Sequence, residues 1–122
     1  MNTGNNSKDM VRLAVKGLDE KKGIDIKVID ISHISLIADY FVIAAASNQN
    51  QMSALVRGVD EELNKAGYEL KQLEGNNYSS WILLDYNDII VHVFTEEDRE
   101  FYNLEKLWVD GTEVDIEEFL EK

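Results

Sequence analysis

Residues Tyr40 to Ala46 read Tyr-Phe-Val-Ile-Ala-Ala-Ala, a run that leaves no polar position for a solvent-facing side. It is far too short to span a membrane, and its lack of alternation suits a strand buried on both faces. Such a strand needs cover from packed layers. Two amphipathic segments flank it. Ser7 is expected to cap a first helix, Lys8 to about Lys22, with the apolar stripe Met10/Val11, Ala14/Val15 and Leu18, and Gly23 ends it. Ser47 or Asn48 can cap a second helix to about Ala66, with Met52, Leu55/Val56, Val59 and Leu63 as its core stripe. Gly67 supplies the left-handed stop. The two stripes must each cover a sheet face, or share one.

The remaining segments complete a single domain. Ile24 to Asp30 reads as a strand, and Leu70 to Leu73 as a short one. Glu74-Gly75-Asn76-Asn77 is turn chemistry. Trp81 to Asp85 and Ile89 to Phe94 are strands joined by Tyr86-Asn87-Asp88, where Asn87 suits a positive φ, so a hairpin is expected. Thr95 with Asp98 resembles a capping box for a short helix to about Tyr102. Leu104 to Val109 is a further short apolar piece, and Ile116 to Leu120 suits a last helical turn. The order αββαβββα predicts an α/β or α+β fold with a mixed sheet of about five strands. Residues 1–7 read as a mobile polar leader, 8–109 as the domain and 110–122 as an acidic tail.

Charge narrows the partners. Twelve Lys and Arg against twenty-four Asp and Glu give −12. Residues 96–122 alone hold eleven acidic and three basic side chains. Such a chain repels phosphate, so direct binding to bare nucleic acid is not expected, and a neutral or basic partner is. The acidic tail is read first as a solubilising appendage. With no cysteine, disulfides, thiolate nucleophiles and sulfur-held metals are excluded. The first residues have neither a basic flank nor an apolar core, so no signal peptide is read there and a cytoplasmic location is expected.

Few residues suit catalysis. His33 and His92 are the only histidines, one in a loop and one in a strand, without the spacing of a zinc site. His92 shares a strand face with Ile90 and Phe94 and is expected to be a core or half-buried residue bonded to backbone. No phosphate-binding glycine loop and no nucleophile elbow is present. Asp30, Asp39, Asp85 and Asp88 lie at or near strand ends, where carboxylates can hold magnesium for phosphoryl or nucleotidyl transfer. Aspartate is also the ordinary residue for ending strands and starting turns. A nucleotidyl-transfer site needs a phosphate cradle as well, and Ala45-Ala46-Ser47-Asn48 offers none.

The aromatic residues read differently. Trp81, Leu83 and Asp85 share one face of their strand, and Ile82, Leu84 and Tyr86 share the other. If the second face is core, an outward Trp and Leu beside a carboxylate make a protein-binding patch. The alternative is that Trp81 packs under the acidic C-terminal segment, and the residues alone leave both open.

Asp30-Ile31-Ser32 with Ser35, Ala38-Asp39-Tyr40-Phe41-Val42-Ile43, Ser47 and Gln51 resemble the ribosomal silencing factor family, also called RsfS or Iojap. The match continues through Glu74-Gly75, Trp81, Leu84-Asp85-Tyr86, Asp88, Val91-His92-Val93-Phe94, Arg99, Tyr102 and Leu104-Glu105-Lys106-Leu107-Trp108. It departs at Ala45-Ala46, where the family usually has Thr-Gly, and at Asn87, where it has Gly; both are read as turn variants. The resemblance implies a mixed sheet of nucleotidyltransferase-like topology without that active site. It implies a protein, not an enzyme and without cofactor or metal, that binds the large ribosomal subunit through its ribosomal protein fourteen. The bound factor would block joining of the small subunit and repress translation when nutrients run short. It implies a homodimer in many members, and a contact built on Trp81 with Tyr78, Ile82, Asp85 and Tyr86 in or near it. The alternative, a metal-dependent nucleotidyltransferase-like enzyme using Asp39, Asp85 and Asp88, requires nucleotide and magnesium binding. Calorimetry with both at millimolar concentration is expected to register no heat of binding; saturable heat would favour the enzyme.

Overall fold

The structure, a computed structural model, describes residues 3–33, 36, 38–76, 79–102, 112–114 and 116–118. Helix α1 (Thr3–Glu20) leads into strands β1 (Ile24–Asp30) and β2 (Tyr40–Ala46). Helix α2 (Gln49–Lys65) follows, then β3 (Gln72–Glu74), β4 (Trp81–Asp85) and β5 (Ile89–Thr95). Helix α3 (Glu96–Tyr102), β6 (Thr112–Val114) and a 3-10 turn (Ile116–Glu118) complete the order. The expected mixed sheet is present and carries one short strand more than expected, in the order β3-β4-β5-β2-β1-β6. β2 and β5 are parallel, with Tyr40 opposite Ile89 and Ala46 opposite Thr95. The other pairs are antiparallel. The added strand lies within the acidic tail: Thr112–Val114 pairs with β1, and Glu113 meets Lys27 at 3.3 Å.

Every residue of β2 is buried, as its uninterrupted apolar run demands. Its two faces meet different layers. Tyr40, Val42, Ala44 and Ala46 pack with Val91, Val93, Ile82 and Leu84 beneath the stripes of α1 and α2. Both helices therefore share one face. Phe41 and Ile43 belong to a second cluster with Ile29, Ile31, Ala38, Ile90 and Phe94 on the opposite face. On that side Arg99 of α3 donates to the backbone carbonyls of Ile24 and Asp25 and lies 3.6 Å from the Asp25 carboxylate. Asp25 has φ 51°, and the β1–β2 register shifts there, so α3 is latched to a bulge.

The helix ends separate local signals from tertiary ones. Asn48 is the N-cap of α2, accepting from the Gln51 N–H at 2.8 Å. The Gln51 side chain reaches back to the Ser47 N–H and donates to the Lys22 carbonyl at the end of α1. Gly67, at φ 93°, stops α2 as expected. At α1 two expectations are corrected. The left-handed position after the helix is Lys22, at φ 66°, with the Gly23 N–H donating to the Leu18 carbonyl. The helix also starts at Thr3 rather than after Ser7. Ser7 is fully buried inside it and its hydroxyl donates to the Asp39 carboxylate at 2.5 Å. That tertiary partner satisfies a side chain that would otherwise favour a cap. β3 lies later than expected because the Lys71 N–H takes the Asp85 carbonyl, which sets the register from Gln72 onward, while Leu70 turns into the helix-side core. The piece expected at Leu104 to Val109 lies outside the described residues.

α1 and α2 cross at Gly17 and Gly58. A β-carbon on Gly17 would lie 2.4 Å from the Gly58 carbonyl oxygen, and one on Gly58 would lie 2.8 Å from that of Gly17. Both obstacles are backbone, so the helices must separate to admit a methyl group. Gly17→Ala is expected to destabilise the fold by about 1–3 kcal/mol, although Ala for Gly in an unhindered helix stabilises by about 1 kcal/mol. Denaturant unfolding checks the sign; a stabilised variant would show that the crossing is not close.

Candidate functional site

The site is built on the β4–β5 hairpin. Asn87 adopts φ 75°, and the Asp85 carboxylate accepts the Asn87 N–H at 2.8 Å. The Tyr86 N–H donates to the Ile89 carbonyl, closing the turn. This registers Trp81 opposite Phe94, Leu83 opposite His92 and Asp85 opposite Ile90. Alternation then divides β4. Ile82, Leu84 and Tyr86 are buried on the helix side, where the Tyr86 hydroxyl donates to Asp60 of α2 at 2.8 Å. Burial first, and the Asp60 carboxylate second, push that hydroxyl far above the usual phenol range. Trp81, Leu83 and Asp85 are half-buried on the other face.

Trp81 rests on an aromatic layer. Its ring stacks on Phe94 with centroids 5.0 Å apart and 26° between planes. Its indole N–H donates to Nδ1 of His92 at 3.1 Å. His92 is 4% exposed and meets Phe41 edge-on at 4.8 Å. Burial pushes the imidazole down to about 4, so it is neutral near pH 7 with its proton on Nε2. That nitrogen has no hydrogen-bond partner among the described residues. His92 is thus a core residue, as expected, but it accepts from the Trp81 indole rather than bonding backbone. The hairpin signal around Asn87 contained this pairing: it makes Trp81 and His92 diagonal cross-strand neighbours.

The sheet ends beside this patch. All of β3 is exposed, Leu73 to 47%. A hollow of about 240 Å³ is lined by Glu74, Gly75, Trp81 and Leu83. A second, of about 340 Å³, opens between α2 and the strand edge, with Val56, Arg57, Leu73 and Ile82 among its lining. Gly75 has φ 103°, and a β-carbon there would lie 2.9 Å from the Trp81 carbonyl oxygen. Ser80 hydrogen-bonds Asp98 of α3 through its hydroxyl, and the Thr95 N–H donates to the Ser80 carbonyl. Those bonds tie the chain entering Trp81 to α3.

Of the residues singled out from the sequence, Trp81 and Asp85 come together on the open face. Ile82 reaches the second hollow from the other side of β4, and Tyr86 is enclosed beneath α2. Tyr78 lies outside the described residues. The strand-end carboxylates serve structural hydrogen bonds, two local and one tertiary. Asp30 accepts from Ser32, Asp85 from Asn87, and Asp39 from Ser7. The Asp39 N–H donates to the Asp88 carbonyl at 2.7 Å, and burial, with Asp39 nearby, raises the Asp88 carboxyl above its ordinary value. Among the described residues no three His, Cys, Asp or Glu side chains group to hold a metal, and no helix is long and apolar enough to cross a membrane.

The family model described as "Ribosomal silencing factor during starvation" matches residues 4–122. A ribosomal silencing factor of Bacillus subtilis is 37% identical over 112 residues, covering 92% of this chain and 95% of its own. The mouse protein named for mitochondrial assembly of the ribosomal large subunit is 28% identical over 101 residues, covering 80% of this chain and 44% of its own. A crystal structure of a Chromobacterium violaceum protein superposes with TM-score 0.78 at 32% identity, covering 82% of this chain and 83% of that one.

Burial of His92 has a pH consequence. An unfolded imidazole takes up a proton below about pH 6.5, whereas the folded one resists until about pH 4. The unfolded state therefore binds more protons in that window, and stability falls as pH is lowered through it. The His92 contribution to this loss reaches about 3 kcal/mol at its acid end. His92→Phe is expected to flatten that part of the profile. Unfolding by denaturant near neutrality and near pH 4.5 checks it, and equal acid sensitivity in both proteins would contradict it.

Proposed function

This chain belongs to the ribosomal silencing factor family, and from that premise we propose that it binds the large ribosomal subunit and excludes the small one. In this reading it docks on the subunit's ribosomal protein fourteen, represses translation when nutrients are short, works in the cytoplasm and has no catalytic turnover. The observation that carries the reading is the Trp81, Leu83 and Asp85 face: a half-buried indole held on a buried aromatic layer, with Glu74 and Leu83 lining the hollow beside it and Asp85 farther along the same face of the strand. Trp is the residue most suited to anchor a protein contact, especially where its ring is rigid and its surroundings exclude water. Steric exclusion needs contact area and a firm platform, and the hairpin provides the platform.

Charge supports the partner class. A chain at −12 approaches a basic ribosomal protein without competing for RNA phosphates, and such complementarity acts mainly on the association rate. Homodimerisation enters the reading through the same face, since an exposed apolar patch self-pairs about a two-fold axis. A second copy and the ribosomal protein would then compete for Trp81. Ile82 and Tyr86 support this face from below, Tyr86 through Asp60.

The test is co-sedimentation with purified large subunits, followed by challenge with small subunits. Wild-type protein is expected to pellet and to block subunit joining. Trp81→Ala is expected to weaken binding by about 2 kcal/mol or more, with the fold intact by circular dichroism. Asp85→Lys, at a half-buried position, is expected to slow association and reduce its salt dependence. Wild-type protein that stays in the supernatant at micromolar concentration would overturn the proposal.

A further inference from the structure

We propose that His92 is a positioning residue for Trp81: its buried Nδ1 holds the indole N–H so that the ring meets its partner already oriented. The inference rests on the reading of Trp81 as the anchor. An indole has one donor and no acceptor, and at a half-buried site that donor needs a fixed partner. Here the partner is a side chain 3.1 Å away that is itself held edge-on against Phe41. Phe94 fixes the plane of the ring from beneath. Stack and hydrogen bond together leave Trp81 one orientation.

The rest of the His92 environment shows what that bond is for. Its neighbours are apolar or aromatic: Phe41, Phe94, Leu83 across the ladder and Ile43 on β2. Nε2 lies buried with no hydrogen-bond partner among the described residues. A buried polar group left unsatisfied costs stability, and a hydrocarbon ring of the same shape would remove the cost. Packing alone would thus be better served by Phe. Nδ1 of this imidazole accepts from the Trp81 indole, and the return on that bond lies in binding, where a side chain already ordered in the free protein loses less freedom on association. Because the folded imidazole is neutral near pH 7, Nδ1 is available as an acceptor under ordinary conditions.

The test uses the full chain carrying Trp108→Phe, which leaves Trp81 as the single tryptophan. In the protein with His92 intact, imidazole nitrogen chemical shifts are expected to show the proton on Nε2; a proton on Nδ1 would overturn the inference without any change at His92. His92→Phe removes both the unsatisfied Nε2 and the acceptor of the indole, so the denaturation midpoint is expected to stay close to that of the parent while the indole N–H exchanges about tenfold faster. Its affinity for large subunits should fall by about threefold to tenfold. His92→Asn, whose side-chain oxygen can stand where Nδ1 stands, is expected to restore slow exchange and most of the affinity. A purely structural His92 would instead give a destabilised Phe variant with unchanged indole exchange. Affinity unchanged in His92→Phe but lost in Trp81→Ala would reject the positioning role and leave the anchor standing. Affinity unchanged in Trp81→Ala would reject the anchor, and the inference with it.

Discussion

Burial of β2 on both faces is the constraint around which the molecule is arranged. A strand without a solvent side needs partners on both edges and cover on both faces. β1 and β5 supply the edges, and the parallel partner obliges a crossover, which here runs through α2, β3 and β4. That route places the β4–β5 hairpin in the half of the sheet away from the chain's start. The faces are covered unequally. Two long helices crossing at Gly17 and Gly58 seal one, while the other carries the aromatic layer and the Arg99 latch.

The candidate site follows from that inequality. β4 lies next to the outermost strand, so its helix-side residues are enclosed while Trp81, Leu83 and Asp85 are half-exposed. One strand therefore presents a core face and a half-open face, and a single residue step separates the two. The aromatic layer beneath Trp81 continues the β2 and β5 core through Phe41, His92 and Phe94. The proposed anchor is thus coupled directly to the buried cluster on that face of the sheet. For a factor whose proposed action is obstruction, that rigidity is the useful property, since a loosely held side chain gives up more freedom on binding.

Much of this was legible in the residues. The bounds of β1, β2 and β4, the Asn48 cap, the Gly67 stop, the Asn87 turn and the two faces of β4 all rest on local stereochemistry or on a period of two, which a linear pattern carries without its partners. The place of Ser7 inside α1 is not legible locally, because its satisfied hydroxyl depends on Asp39, far along the chain. The left-handed residue at Lys22 goes with the turn bonds from the Lys22 and Gly23 N–H groups to the Asp19 and Leu18 carbonyls, and a β-carbon at position 23 would crowd Leu55 of α2. The bounds of β3 are not legible locally either, because its residues are exposed and its register is borrowed from β4.

The sequence alone determined that one sheet would hold a doubly buried strand, that β4 would turn Trp81, Leu83 and Asp85 one way and Tyr86 the other, and that the chain carries a strong net negative charge. Those properties come from side-chain period, backbone preference and summed charge, which need no knowledge of distant neighbours. Its likeness to the silencing factors came from the same linear strings. Only the tertiary structure decided that both helices share one face and that Gly17 and Gly58 let them approach. It alone put Ser7 inside a helix and gave Trp81 a buried imidazole as its hydrogen-bond partner. Each of these depends on two surfaces meeting across space, where shape and unsatisfied hydrogen-bonding groups, rather than pattern, select the arrangement.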